Sequence, residues 1–372
     1  MALAALPATE LPKIASLDAL RGFAISGVML VHTGQHIANL PEHVGGVCNW
    51  GQFGVQLFFI ASAYTLAMSL DRRGSDRKAF FIRRFFRIAP MFWLAIALYG
   101  IALVNVIPVA DGNRGSSWID LIRTACFANG WTKSSINSVV PGSWSIAAEW
   151  SFYLLFPFVF PFLNTVRRAW WGCVIGVAFA ILAQGAAWLF IHQVDEPAFA
   201  ISPNPYNFFF RWWFPAQAMT FMTGVYLYRI GDQWRAHLPS IASLAVTIAV
   251  LLAIGHELVG LQHKVFLFTL LFIPFVLWVI NSPNKYLTHP LWRALGTVSF
   301  SAYLLHFMVL DIIVMWTPIT AWPWPVALPS LLVVTVATTY ALSWLTYHAI
   351  ELPGIALGRN LIRRMNSKCP AP

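Results

Sequence analysis

Arg21, His32, His36, Glu149 and His306 lie in or at the edges of apolar stretches. There an ionisable side chain costs about 2.5–3.5 kcal/mol on insertion scales, so each one needs a reason. Arg21 and His32 are eleven positions apart. On a helix that is three turns plus roughly 20°, which puts both on one face about 16 Å apart along the axis. His36 follows one turn later, and Asp18 stands three residues before Arg21, where it can pair with it. A histidine so placed can act as a general acid or base. The competing reading is structural: an Asp18–Arg21 ion pair, and a His32 hydrogen-bonded to a neighbouring helix.

Glu149 opens an apolar run, with Trp144 and Ser145 before it and Tyr153 one turn after. It is expected in the outer half, at a depth near that of His32. A carboxylate there would fix the imidazole's tautomer and stabilise its charged form. Its alternative is a carboxylate complementing a helix N-terminus. Ser145 as a nucleophile is disfavoured, because serine is common at helix starts as a cap. His306 has Tyr303 at i−3 and is expected to make a structural hydrogen bond. Asp311, five residues on, belongs to a different face.

Arg83, Arg84 and Arg87 are interleaved with Phe80, Phe81, Phe85 and Phe86. As a helix this segment is amphipathic and interfacial, and its cations meet anionic lipid. Arginine also grips phosphate with a planar, multi-donor fork. These three are therefore candidates for holding a phosphorylated cytoplasmic ligand such as a nucleotide-bearing acyl donor. No Cys or His spacing points to a metal.

The elements that position these residues follow from composition. Of 372 residues, 58% are hydrophobic and 10% charged, against about 25% charged in soluble domains. Apolar runs of about 20 residues, long enough to cross a bilayer as helices, recur along the chain. They predict an all-α, polytopic membrane helix bundle with spans at about 17–37, 51–70, 88–108, 145–165, 170–191, 207–228, 239–256, 264–281, 294–316 and 326–348. Tryptophans near their ends fit an interfacial belt. No polar stretch is long enough for a second domain. The whole of 1–372 is read as one membrane-embedded domain, with a core at 14–350 and a basic cytoplasmic tail at 351–372. The start lacks the basic residues and cleavage site of a signal peptide, so the first run is expected to be retained.

Segment 118–130 is short and interrupted by Asp120 and Arg123, and reads as interfacial or re-entrant. Ten spans with both termini cytoplasmic put eighteen of the basic residues inside and five outside, Arg21 lying within the first span. Counting 118–130 as a span would move Arg167 and Arg168 outside, against the positive-inside rule. The net charge of +10 thus reflects membrane orientation and not nucleic-acid binding. Cys48 and Cys126 fall on the outer side, where a disulfide is permitted but not required.

Several stretches in order resemble the membrane-bound acyltransferase family 3, which includes bacterial O-antigen, exopolysaccharide and Nod-factor acetylases and macrolide acyltransferases. They are Leu17–Gly22 with His32, Gly54–Ser62, Phe81–Pro90, and Trp144–Glu149 with Phe152–Leu154 and Pro157; Ser301–His306 is a weaker fifth. Where that family usually has Gly and an aromatic after the second stretch, this chain has Ala63-Tyr64. The resemblance covers about residues 14 to 350. It implies transfer of an acyl group, most often acetyl, from cytoplasmic acyl-coenzyme A to a hydroxyl of a cell-surface or exported carbohydrate, in the bacterial cytoplasmic membrane. Acyl-coenzyme A is then a co-substrate, with no permanently bound cofactor. Arg21, Arg83, Arg84 and Arg87 would hold the donor, His32 would act on the acceptor, and Glu149 would orient His32. His36, Trp144, Ser145, Tyr153, Tyr303 and His306 would support the site or touch the acceptor. A transporter or flippase, using Arg21, His32 and Glu149 as a proton or substrate path, is the rival; no inverted repeat or pair of broken helices in matching halves favours it.

Overall fold

Where water is absent, backbone N–H and C=O groups must be satisfied within the chain, and an apolar run closes on itself as a helix. The computed structural model describes residues 11–74, 76–102, 117–193, 205–231, 261–281 and 285–367, and among these every regular element is helical. Helix α1 (Leu11–Gln35) leads into α2 (Glu42–Trp50), a 3-10 turn (Gly51–Phe53) and α3 (Gly54–Arg73). Helix α4 (Arg77–Ala97) starts on Asp76, whose side chain accepts from the Ala79 amide at 3.1 Å. It runs on as a π-helical turn (Leu98–Ala102). The amphipathic segment and the described part of the third expected span, 88–102, are therefore one continuous helical stretch.

Helix α5 (Trp118–Ala125) is capped by a reciprocal Ser117/Asp120 box. It is followed by α6 (Ser143–Val159), α7 (Val166–Gln193), α8 (Pro205–Trp212) and α9 (Phe214–Ile230). Then come α10 (Leu261–Asn281), α11 (Pro290–Thr297), α12 (Ser299–Trp316), α13 (Trp324–Thr346), a π-helical turn (Tyr347–Glu351) and α14 (Leu352–Ser367).

Two expected spans are interrupted. Residues 207–228 form α8 and α9, because Trp213 is extended and Pro215 occupies the first turn of the second helix. Residues 294–316 form the end of α11 and then α12, broken at Val298. The expected span at 239–256 lies outside the described residues, as does the end of the one at 88–108. Six described helices or continuous helical stretches are long and apolar enough to cross a membrane: 14–35, 42–72, 143–162, 166–186, 299–316 and 324–367. The apolar part of α10, Val265–Asn281, is shorter. At eight residues, α5 spans only about 12 Å, too little for a bilayer, as its polar interruptions indicate. Among the described residues Cys48, Cys126 and Cys173 are all free thiols, so the permitted disulfide is not formed.

The largest core joins α1, α3, α4, α6, α9 and α12 through residues such as Met29, Phe59, Phe92, Phe152, Phe221 and Leu304. Close backbone approach sets α1 against α11: a Cβ at Gly296 would lie 1.7 Å from the Asp18 carbonyl oxygen. At the basic end, Arg229 ties α9 to α3 through Asp71 at 2.6 Å and to the segment after α6 through the Leu163 carbonyl at 2.7 Å. The outward faces are apolar. Trp170, Trp171, Phe179 and Leu182 on α7, and Val333 and Leu345 on α13, are exposed. In water such surface would be an association patch; on a helical membrane protein it is the face that meets lipid.

Candidate active site

The residues singled out for chemistry divide into two groups joined by Tyr303. The first lines a cavity between α1, α3, α4, α6 and α12. Its wall includes Arg21, Arg84, Arg87, Ser145, Glu149, Tyr153 and Tyr303, and it holds about 700 Å³ of empty space, mouth included. Arg21 Nη1 pairs with Asp18 at 3.0 Å, as the spacing predicted, while Nη2 donates to Thr65 at 2.8 Å. Arg84 lies over the Phe80 and Tyr153 rings, each 5.8 Å from its guanidinium carbon. Its Nε is buried and makes no hydrogen bond. Arg83 is not part of the wall, and neither is Trp144, which stacks on Trp212 at 5.4 Å between centroids.

Glu149 is the cavity's carboxylate. The Ser62 hydroxyl and the Tyr153 phenol both donate to its Oε1. Glu149 shares a wall with the arginines, whereas His32 Nδ1 lies 2.9 Å from Gln35 Oε1 and its ring packs on Phe307. The helix geometry of α6 explains this, since Glu149 and Tyr153 are one turn apart on the face that meets Ser62 of α3. With three guanidiniums and one carboxylate, the wall carries excess positive charge and suits an anionic ligand.

Gly142, at φ 79°, precedes α6. Only glycine occupies that conformation at no steric cost, and a Cβ there would also sit 2.7 Å from the Tyr303 phenol oxygen. The phenol uses that space: it donates to the Gly142 carbonyl at 3.0 Å and accepts from the Ser145 hydroxyl at 2.9 Å. The Ser145 hydroxyl also lies 2.9 Å from the Gly142 carbonyl, and it does not cap the helix start.

The second group is made of histidines. Fully buried His306 holds the Tyr303 carbonyl through Nδ1 at 2.7 Å, the local hydrogen bond its spacing predicted. Its ring lies 5.4 Å from that of His32, and both pack on Phe307. His36 Nδ1 donates to the His32 carbonyl at 2.9 Å, which leaves Nε2 3.5 Å from Asp311.

Sequence reasoning missed Ser62 and Thr65, whose hydroxyls are too common in helices to stand out. It also missed Glu351, read as the start of a tail. Glu351 is 2% exposed and accepts from the Ser301 hydroxyl. A lone carboxylate beside an apolar run was the available signal.

The family profile described as an acyltransferase domain matches residues 14–347. The chain is 27% identical over 321 residues to an acyltransferase, MdmB, of Streptomyces mycarofaciens, covering 80% of this chain and 79% of that protein. It is 25% identical over 374 aligned residues to a peptidoglycan O-acetyltransferase, OatA, of Listeria monocytogenes, covering 91% of this chain. The chain spans 55% of that relative's length. No solved structure matches.

Proposed function

This chain belongs to the acyltransferase-domain family, and from that premise we propose that it moves an acetyl group from cytoplasmic acyl-coenzyme A to a hydroxyl of a cell-surface or exported carbohydrate. That it is an integral membrane acyltransferase follows from the family, the relatives and the apolar helices. The donor, the acceptor and placement in a bacterial cytoplasmic membrane are the proposal. The observation that carries it is Arg21, Arg84 and Arg87 converging on one cavity inside an apolar bundle. Partly buried guanidiniums are costly unless something anionic compensates them; Asp18 pairs with Arg21 and Glu149 is the wall's one carboxylate, which leaves net positive charge for an anionic ligand. A coenzyme's phosphates supply the remaining charge at the mouth, and Arg83, outside the wall, serves the donor's approach. Glu149, held by Ser62 and Tyr153, keeps the arginines in place. His32 takes the acceptor's hydroxyl proton as general base. The carbohydrate acceptor is supported by the Listeria relative, named for peptidoglycan.

The test uses the purified full-length protein in lipid nanodiscs with radiolabelled acetyl-coenzyme A. Mass spectrometry then compares glycans and lipids of cells with and without the protein. The expected result is coenzyme release together with one acetyl mass difference on a carbohydrate. Label that never leaves the coenzyme, or proton-coupled flux without acylation, would sink this reading. His32→Ala should abolish transfer at normal protein abundance.

A further inference from the structure

We propose that Asp311 is a positioning residue for transfer: its ion pair with His36 fixes the register of α1 on α12, and with it the place of His32. This rests on the acyltransferase reading above, with His32 as base. His36 is the first residue past α1. Its Nδ1 stands 2.9 Å from the His32 carbonyl, and its Nε2 stands 3.5 Å from Asp311 Oδ1. A carbonyl and a carboxylate only accept, so both ring nitrogens carry a proton and the ring is an imidazolium. That charge suits its place. The last carbonyls of α1 form the negative end of the helix dipole, and His36 satisfies one of them. The two side chains are 21% and 15% exposed, and a partly buried pair is screened far less than one at an open surface.

The pair sits one turn beyond a second contact between the same helices. The His32 and Phe307 rings pack with centroids 4.3 Å apart. His36 comes four residues after His32, and Asp311 four after Phe307. Four residues are about one turn, roughly 6 Å, on either helix. Contacts that advance in step mean that α1 and α12 run parallel here, and a slip along the axis breaks both. The packing nearby is apolar: Ile37 clusters with Val309, Leu310, Ile313 and Leu331. Apolar attraction has no direction, so the ion pair supplies the fixed point.

This makes the register sensitive to pH. The titratable groups around the pair are His32 on α1 and Tyr99, in the π-helical turn after α4, whose phenol donates to the Leu304 carbonyl. Helix α2 brings Cys48 against Gly34, while its Glu42 and His43 are exposed. Asp311 acts most strongly on His36, which lies just past the spanning stretch 14–35; with the His32 carbonyl it outweighs burial and raises the imidazole above its ordinary value. A raised group contributes fully below its unfolded value, about 6.5, and loses that contribution as pH rises through the folded one. Beyond that point Nε2 is a lone pair facing a carboxylate, and α1 is released from α12.

The experiment follows transfer from acetyl-coenzyme A to N-acetylglucosamine and to water in nanodiscs, from about pH 5.5 to 9.5. It compares the unsubstituted protein, Asp311→Asn and His36→Lys, with each kcat profile normalised to its own maximum. Asp311→Asn should bring the alkaline limb down by at least about one pH unit, the low end of what a neighbouring opposite charge imparts. His36→Lys, whose ammonium keeps its proton to about pH 10, should carry that limb upward. KM for acetyl-coenzyme A should be unchanged in Asp311→Asn, because Asp311 is not in the wall of the arginine cavity. Thermal unfolding in the same nanodiscs reads the pair without acyl chemistry. Asp311→Asn should unfold at a lower temperature than the unsubstituted protein at about pH 6, with the gap closing as pH rises. The proposal is overturned if Asp311→Asn lowers kcat by one factor at every pH, as a merely structural role requires. It is also overturned if either limb fails to move in its stated direction, or if there is no unfolding gap. If the gap is present but the unsubstituted protein releases no coenzyme with either acceptor, the donor reading beneath it fails instead.

Discussion

At the scale of single residues, the arginines of the cavity are the sharpest test of donor binding. Arg84 has a buried Nε without a partner and two aromatic rings beneath its guanidinium. Its charge is more useful to a bound anion than to the empty fold. Arg84→Gln should therefore raise KM for acetyl-coenzyme A at least about tenfold, the loss of roughly one charge-assisted hydrogen bond. The melting temperature should not fall, because removing a desolvated cation relieves a cost. Michaelis analysis paired with a thermal shift in detergent checks both halves. Arg84→Lys should recover only part of the loss, since an ammonium lacks the planar fork.

At the scale of elements, α5 shows how a short amphipathic helix is anchored by its polar residues. Burial alone would raise the Asp120 carboxyl. Hydrogen bonds from the Ser135 and Ser117 hydroxyls and the Ser117 amide, with Arg123 beside it, outweigh burial and hold it below the ordinary aspartate range. A depressed carboxyl contributes stability that is complete above its unfolded value, about 3.9, and is lost as pH falls through the folded value. Proteolytic protection of the loop around α5 should thus be constant from pH 7 to 5 and decline only below about pH 4. Asp120→Asn should remove that pH dependence while weakening the loop at every pH. A decline centred near pH 6 would assign the effect to another group.

At the scale of the whole molecule, the exposed apolar belts decide how the bundle lives in its solvent. Leu182 on α7 is 68% exposed and surrounded by apolar neighbours such as Phe179 and Ile181. Leu182→Arg should cost about 2.5–3.5 kcal/mol of insertion free energy and lower the amount of protein recovered in the membrane fraction. Leu182→Phe should leave it unchanged. Equal recovery of both variants would mean that this face of α7 is covered by protein and not lipid.

How much was legible in the sequence depends on the range over which each signal acts. Burial of charge is expensive wherever it occurs, so Arg21, His32, Glu149 and the arginines of α4 stood out from their neighbours alone. The membrane class followed from composition, and the Asp18–Arg21 and Tyr303–His306 contacts followed from helix pitch, because three- and four-residue spacing brings such groups together in any helix. The ordered motifs were enough to point to the family. Tertiary structure decided the rest. Glu149 turned to Ser62 and Tyr153, Arg83 stayed out of the wall that holds Arg84, and His306 came beside His32. Each of these depends on how separate helices rotate and cross, set by close approaches such as Gly296 on Asp18 and by the breaks before α9 and α12. A helix's own sequence fixes its pitch and which residues share a face; which face meets which neighbour is settled only when the helices pack.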